Sequence, residues 1–125
     1  MNKKRILLVD DEASITRSIK RNLETTGRYE VQTENFAPNA LATAHRFKPD
    51  LILLDVMMPG KDGGEVAAQI KESSLLKDVP NVFLTAIVST KETGGHEATA
   101  GSMTYLAKPV GWPELQRCIE EHIGK

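Results

Sequence analysis

Residues 6–9 (Ile-Leu-Leu-Val) and 51–54 (Leu-Ile-Leu-Leu) each place four apolar side chains in a row. Successive side chains of a strand point to opposite faces, so an unbroken apolar run implies a strand buried on both sides, as in a parallel sheet covered by helices. Three more short runs fit the same frame. Strands are expected at residues 5–9, 29–33, 51–54, 81–85 and 103–107. The segments between them carry a helical period. Ile15, Ile19 and Leu23 recur every fourth residue and stop before Gly27, a glycine placed to end a helix. Residues 37–47, 64–71 and 115–123 repeat the pattern less cleanly, with Pro113 where a first helical turn tolerates a missing N–H. A fourth helix is due before the fifth strand, but Gly94 and Gly95 fall inside that interval and weaken it. Strand and helix alternate throughout, so the fold class is α/β.

A chain of 125 residues can bury one core and not two, so a single domain over residues 1–125 is expected. Sixteen Lys and Arg against seventeen Asp and Glu leave a formal net charge of −1, which gives no electrostatic reason to expect direct nucleic acid binding or attachment to a membrane. The single cysteine, Cys118, cannot close an internal disulfide and suits a reducing cytoplasm. The basic start at residues 1–5 is followed by an apolar run too short for an export signal, and no stretch is long enough to span a bilayer. A cytoplasmic protein is expected.

Ligands in open parallel α/β sheets bind at the carboxyl ends of the strands. Asp10 and Asp11 follow the first strand and Asp55 follows the third, so adjacency of those strands would bring three carboxylates to one edge. Any one of them alone would read as a turn former. Two like charges about 4 Å apart repel by roughly 4 kcal/mol at an effective dielectric near 20, so a proton or a cation must compensate. Oxygen-only ligation, with no histidine or cysteine at that edge, favours Mg²⁺ or Mn²⁺ over zinc. Thr85 and Lys108, ending the fourth strand and following the fifth, add a hydroxyl and an ammonium there. A cation, a lysine and a hydroxyl around a carboxylate suit phosphoryl transfer with Asp55 as nucleophile.

The runs Ile6-Leu7-Leu8-Val9-Asp10-Asp11-Glu12, Asp55-Val56-Met57-Met58-Pro59-Gly60, Leu84-Thr85-Ala86 and Tyr105-Leu106-Ala107-Lys108-Pro109, in that order over essentially the whole chain, resemble the receiver domains of two-component response regulators. The resemblance implies a flavodoxin-like, doubly wound (βα)5 three-layer sandwich with a five-stranded parallel sheet in the order 2-1-3-4-5. It implies that Asp55 takes a phosphoryl group from a histidine kinase or phosphotransfer protein. Mg²⁺ would be held by Asp10, Asp11, Asp55 and the backbone carbonyl of Met57, and Thr85 and Lys108 would bind phosphoryl oxygens. Tyr105 matches an aromatic switch that follows Thr85 and remodels the surface of the fourth helix, fifth strand and fifth helix toward an output domain or protein target. The family also allows a phosphorylation-dependent dimer, and the chain reads either as a complete regulator or as a piece of a longer regulator or hybrid kinase. Such a domain is not a conventional enzyme, although it catalyses its own phosphorylation and dephosphorylation. Met57 and Ile87, both apolar, would flank the path of an attacking water and slow hydrolysis of the acyl phosphate.

The rivals fare worse on the residues. A Mg²⁺-dependent phosphatase of similar sheet would use Asp-x-Asp after the first strand, and here the aspartates are adjacent. A nucleotide or flavin module would want a glycine-rich or hydroxyl-rich phosphate loop, which Asp10-Asp11-Glu12 contradicts by charge. A pure interaction module would have lost these acids. His45, His96 and His122 lack ligand spacing to one another or to Cys118 and are read as solvated, while Cys118 and Ile119 are read as core residues of the last helix.

Overall fold

The computed structural model describes residues 3–56, 63–85, 97–100, 103–107 and 111–123. The elements run β1 (Lys4–Val9), α1 (Ala13–Thr25), β2 (Tyr29–Glu34), a 3₁₀ turn (Ala37–Asn39) leading into α2 (Ala40–Phe47), β3 (Leu51–Asp55), α3 (Gly63–Glu72), β4 (Asn81–Thr85), β5 (Glu97–Ala100), β6 (Met103–Ala107) and α4 (Trp112–Ile123). The sheet order is β2-β1-β3-β4-β6-β5. The first five strands of that order are mutually parallel, as the doubly wound fold requires, and β5 adds an antiparallel edge against β6.

The extra strand is the departure from the expected five. Only Gly101 and Ser102 separate it from β6, a spacing that favours a two-residue hairpin. The helix expected around Gly94 and Gly95 lies outside the described residues, so the C-terminal helix is the fourth here. Elsewhere the expected strands and helices stand within three residues of their observed bounds, except that Ala37–Asn39 wind as 3₁₀. Gly27 takes φ +78°, in the left-handed region, and its N–H closes α1 on the carbonyl of Glu24 at 3.0 Å.

Strand parity divides the interior into two layers. Ile6, Leu8, Leu51, Leu53, Val82 and Leu84 face α1 and α4, meeting Ile19, Leu23, Leu115, Cys118 and Ile119. Leu7, Val9, Ile52, Leu54 and Phe83 face the other way, onto Ala40 and Ala44 of α2 and Val66 and Ile70 of α3. Every residue of β3 is buried, which is why its sequence shows no alternation. Each leucine fully buried in this way contributes about 2 kcal/mol relative to exposure.

Candidate functional site

The register of the central strands decides where the acids meet. Val9 of β1 stands opposite Leu54 of β3, so one step along both parallel strands makes Asp10 and Asp55 neighbours at the carboxyl edge. Pairing continues past Asp55, because the Val56 N–H donates to the Leu84 carbonyl at 3.1 Å and fixes the strand end. Asp10, Asp11 and Asp55 each bring a carboxylate oxygen within 4.8 Å of the other two. Asp10 is fully buried, Asp55 is 4 % exposed and Asp11 reaches solvent.

Asp10 is held from three directions. Its N–H donates to the Glu34 carbonyl of β2 at 3.1 Å, its Oδ1 accepts the Glu12 N–H at 2.9 Å, and its carbonyl accepts from Asn35 Nδ2 at 2.7 Å. Asn35 Nδ2 also donates to Thr16 Oγ1 at 3.0 Å, and that buried hydroxyl donates to the Ala13 carbonyl. Glu12 ends up as the N-cap residue of α1, with its own carbonyl accepting from Ile15 and Thr16. Asn35 and Thr16 carry no sequence signal of this: an asparagine after a strand reads as turn chemistry, and a threonine in a helix reads as a spacer.

Of the other expected site residues, Thr85 closes β4 one step beyond Leu84, the register partner of Asp55, so its backbone lies on the same edge. Ala107 is the partner of Thr85, and Lys108, the next residue, lies outside the described residues, as do Met57 and Ile87. Tyr105 is placed on β6 opposite Phe83 of β4. His45 is exposed, with Nε2 2.9 Å from Ser73 Oγ. His122, expected as a solvated residue, is only partly so. It sits half-buried one turn further along α4, with Nδ1 2.8 Å from the Cys118 carbonyl and 3.7 Å from its Sγ. A cavity of about 900 Å³, lined in part by Lys3, Arg5 and Asp50, opens at the amino ends of the strands. That is the edge opposite the carboxylates, and ligands of parallel α/β sheets bind at the carboxyl ends of the strands.

Residues 6–120 match the family model of the response regulator receiver domain. The chain belongs to that family. The receiver is 41 % identical to the response regulator PleD of Caulobacter vibrioides over 85 % of its own length and 23 % of that protein's. Its fold superposes on the chemotaxis protein CheY4 of Vibrio cholerae with a TM-score of 0.81 and 29 % identity, covering 97 % and 99 % of the two chains. It also superposes on the receiver domain of the sensor histidine kinase PA1611 of Pseudomonas aeruginosa with a TM-score of 0.80 and 30 % identity, covering 99 % and 100 %. The latter structure has a magnesium ion coordinated in its active site cleft. The receiver spans half or less of the length of the curated relatives it matches. Response regulators are signalling proteins that receive phosphoryl groups from histidine kinases and regulate output domains, and this chain is a receiver domain with the phosphoacceptor role of that family.

The donor set fits a hard divalent cation. Oxygens that share one octahedral ion at about 2.1 Å lie roughly 3 to 4 Å apart, so carboxylates already within 4.8 Å need only small movements to close on it. Among the described residues, no helix is long and apolar enough to cross a membrane.

Proposed function

We propose that Asp55 is the phosphoacceptor and that Asp10, Asp11, Asp55 and the Met57 carbonyl hold Mg²⁺, with Mn²⁺ a substitute. One observation carries this reading: three carboxylates from the ends of two adjacent central strands converge within 4.8 Å. Asp55 ends β3, between β1 and β4 at the middle of the edge, and it is the position that the receiver family's motif gives to the attacking group. A carboxylate oxygen of Asp55 forms a bond to phosphorus as the bond from phosphorus to the partner's histidine nitrogen breaks. The electron pair of the broken bond stays on the imidazole ring. The bound cation supplies charge neutralisation for the phosphoryl oxygens. Thr85 and Lys108 bind those oxygens from the β4 and β6 side, and Asp10 and Asp11 serve only to hold the ion.

Phosphorylation adds about 1.5 to 2 negative charges and three strong acceptors at this edge. Thr85 moves toward them, Tyr105 follows, and the surface around β6 and α4 changes for an output domain, a target protein or a second receiver. The return reaction is attack of water on the same acyl phosphate, retarded by Met57 and Ile87. We read residues 1–125 as one receiver unit working in the cytoplasm, with no direct contact to nucleic acid.

Incubation with acetyl phosphate and Mg²⁺, followed by intact mass measurement, should show one phosphoryl group gained, and Asp55→Ala should abolish the gain. Steady release of inorganic phosphate without accumulation of the phosphoprotein would instead favour a phosphatase.

A further inference from the structure

Asp11 is the exposed member of the carboxylate cluster, and among the described residues no hydrogen bond holds its side chain. The direction in which its side chain leaves the main chain is set by the two peptide planes that flank its Cα. A peptide group is rigid, so fixing one atom of a plane fixes the direction in which the chain leaves it. The plane between Asp10 and Asp11 is fixed at its oxygen, which accepts from Asn35 Nδ2 at 2.7 Å. The plane between Asp11 and Glu12 is fixed at its nitrogen, which donates to Asp10 Oδ1 at 2.9 Å. Asn35 is itself braced, since its second amide hydrogen goes to Thr16 Oγ1 at 3.0 Å and Thr16, 2 % exposed, is anchored to the Ala13 carbonyl at 3.0 Å. Asn35 lies just past the end of β2, 25 residues from Asp10, so this tether ties the acidic turn to a different strand.

We infer that Asn35, braced by Thr16, is a positioning residue that presets the acidic turn for the divalent cation. The inference rests on the reading of the cluster as a Mg²⁺ site. Without the tether, the Asp10–Asp11 plane can rotate, Asp11 samples directions away from Asp55, and the cost of ordering it is transferred to ion binding. Residues that orient metal ligands typically account for 10- to 100-fold in affinity. Asn35 acts through the backbone of a ligand and belongs at the lower end of that range.

The test is calorimetric titration of the whole chain with Mg²⁺ alone. Asn35→Ala should raise the Mg²⁺ Kd about tenfold, and Thr16→Val, which keeps the shape and removes the hydroxyl, should raise it by less. The double variant should be no weaker than Asn35→Ala alone, because both substitutions break one chain of contacts. Phosphorylation by acetyl phosphate should return to the wild-type rate once Mg²⁺ is saturating, which damage to the fold would not allow. A Kd for Asn35→Ala within twofold of wild type, or a rate that stays low at saturating Mg²⁺, would overturn the positioning role. Failure of the wild-type chain to bind Mg²⁺ at all would overturn the metal site itself, and Asp11→Asn provides the reference for that loss.

Discussion

Tyr29 buries a polar atom that no described residue bonds. The residue is 1 % exposed beneath the Arg28 guanidinium, whose carbon lies 5.4 Å from the ring centre, and among the described residues the hydroxyl has no hydrogen-bond partner. Burial pushes its pKa up, Arg28 pulls it down and Glu120 raises it, with burial dominant. Leaving a buried hydroxyl unsatisfied costs about 1 to 3 kcal/mol, so Tyr29→Phe should leave the receiver as stable or more stable by about 1 kcal/mol in urea unfolding. A clear loss of stability would mean that the hydroxyl is satisfied by water. At the same scale, the convergence of the three acids is readable in the sequence and their support is not. Asp10, Asp11 and Asp55 stand out because chain order puts them directly after two unmistakable strands. Asn35 is invisible because what it holds is a main-chain oxygen, and no residue type advertises that its backbone needs a partner.

Among elements, β2 is the one whose outer edge is visibly managed. Val31 turns both backbone groups away from β1, and α1 reaches over to meet them: the Val31 N–H donates to Glu24 Oε2 at 3.2 Å and its carbonyl accepts from Lys20 Nζ at 2.7 Å. The two side chains close the arrangement with an ion pair at 3.0 Å, one turn apart on the helix. An edge with its hydrogen bonds already spent is a poor template for a second strand. The variant Lys20→Ala with Glu24→Ala should therefore self-associate at concentrations where the wild type does not, as read by sedimentation velocity. Burial is the largest influence on Glu24 and raises its pKa, but the bonds from Lys20 and Val31 together with the charges of Lys20 and Lys3 outweigh it, and the carboxyl is held below its usual range. A depressed carboxyl pKa stabilises the fold above the unfolded-state value and loses that contribution as pH falls through the folded-state value. The stability gap between wild type and Glu24→Gln should be present at neutral pH and close in acid. Strands and helices of the parallel core could be placed from sequence because apolar runs and four-residue periods are strong signals. β5 escaped because Glu97-Ala98-Thr99-Ala100 is too short to show a period, and only the two-residue gap before β6 hinted at a hairpin.

For the whole molecule, a cluster of like charges is a standing cost that binding can relieve. Three carboxylates within 4.8 Å repel by roughly 3 kcal/mol per charged pair at an effective dielectric near 20. A cation that binds the folded chain and not the unfolded one stabilises it by mass action, about 1.4 kcal/mol at ten times its Kd. Mg²⁺ should accordingly raise the melting temperature by a few degrees, and Asp11→Asn should remove that response while itself melting at or above the metal-free wild type. An unchanged melting curve in excess Mg²⁺ would argue against the site.

The two-layered interior has a consequence for how such a site can be tuned. Leu8 and Val9 precede Asp10 and belong to opposite layers, and Leu53 and Leu54 precede Asp55 in the same way. Each acid is thus approached from both halves of the core within two residues of chain. A volume change under α1 and α4 and another under α2 and α3 reach the same carboxylates by separate routes. Drift in one half can be corrected from the other, giving a lineage of such proteins two separate adjustments on one carboxylate cluster.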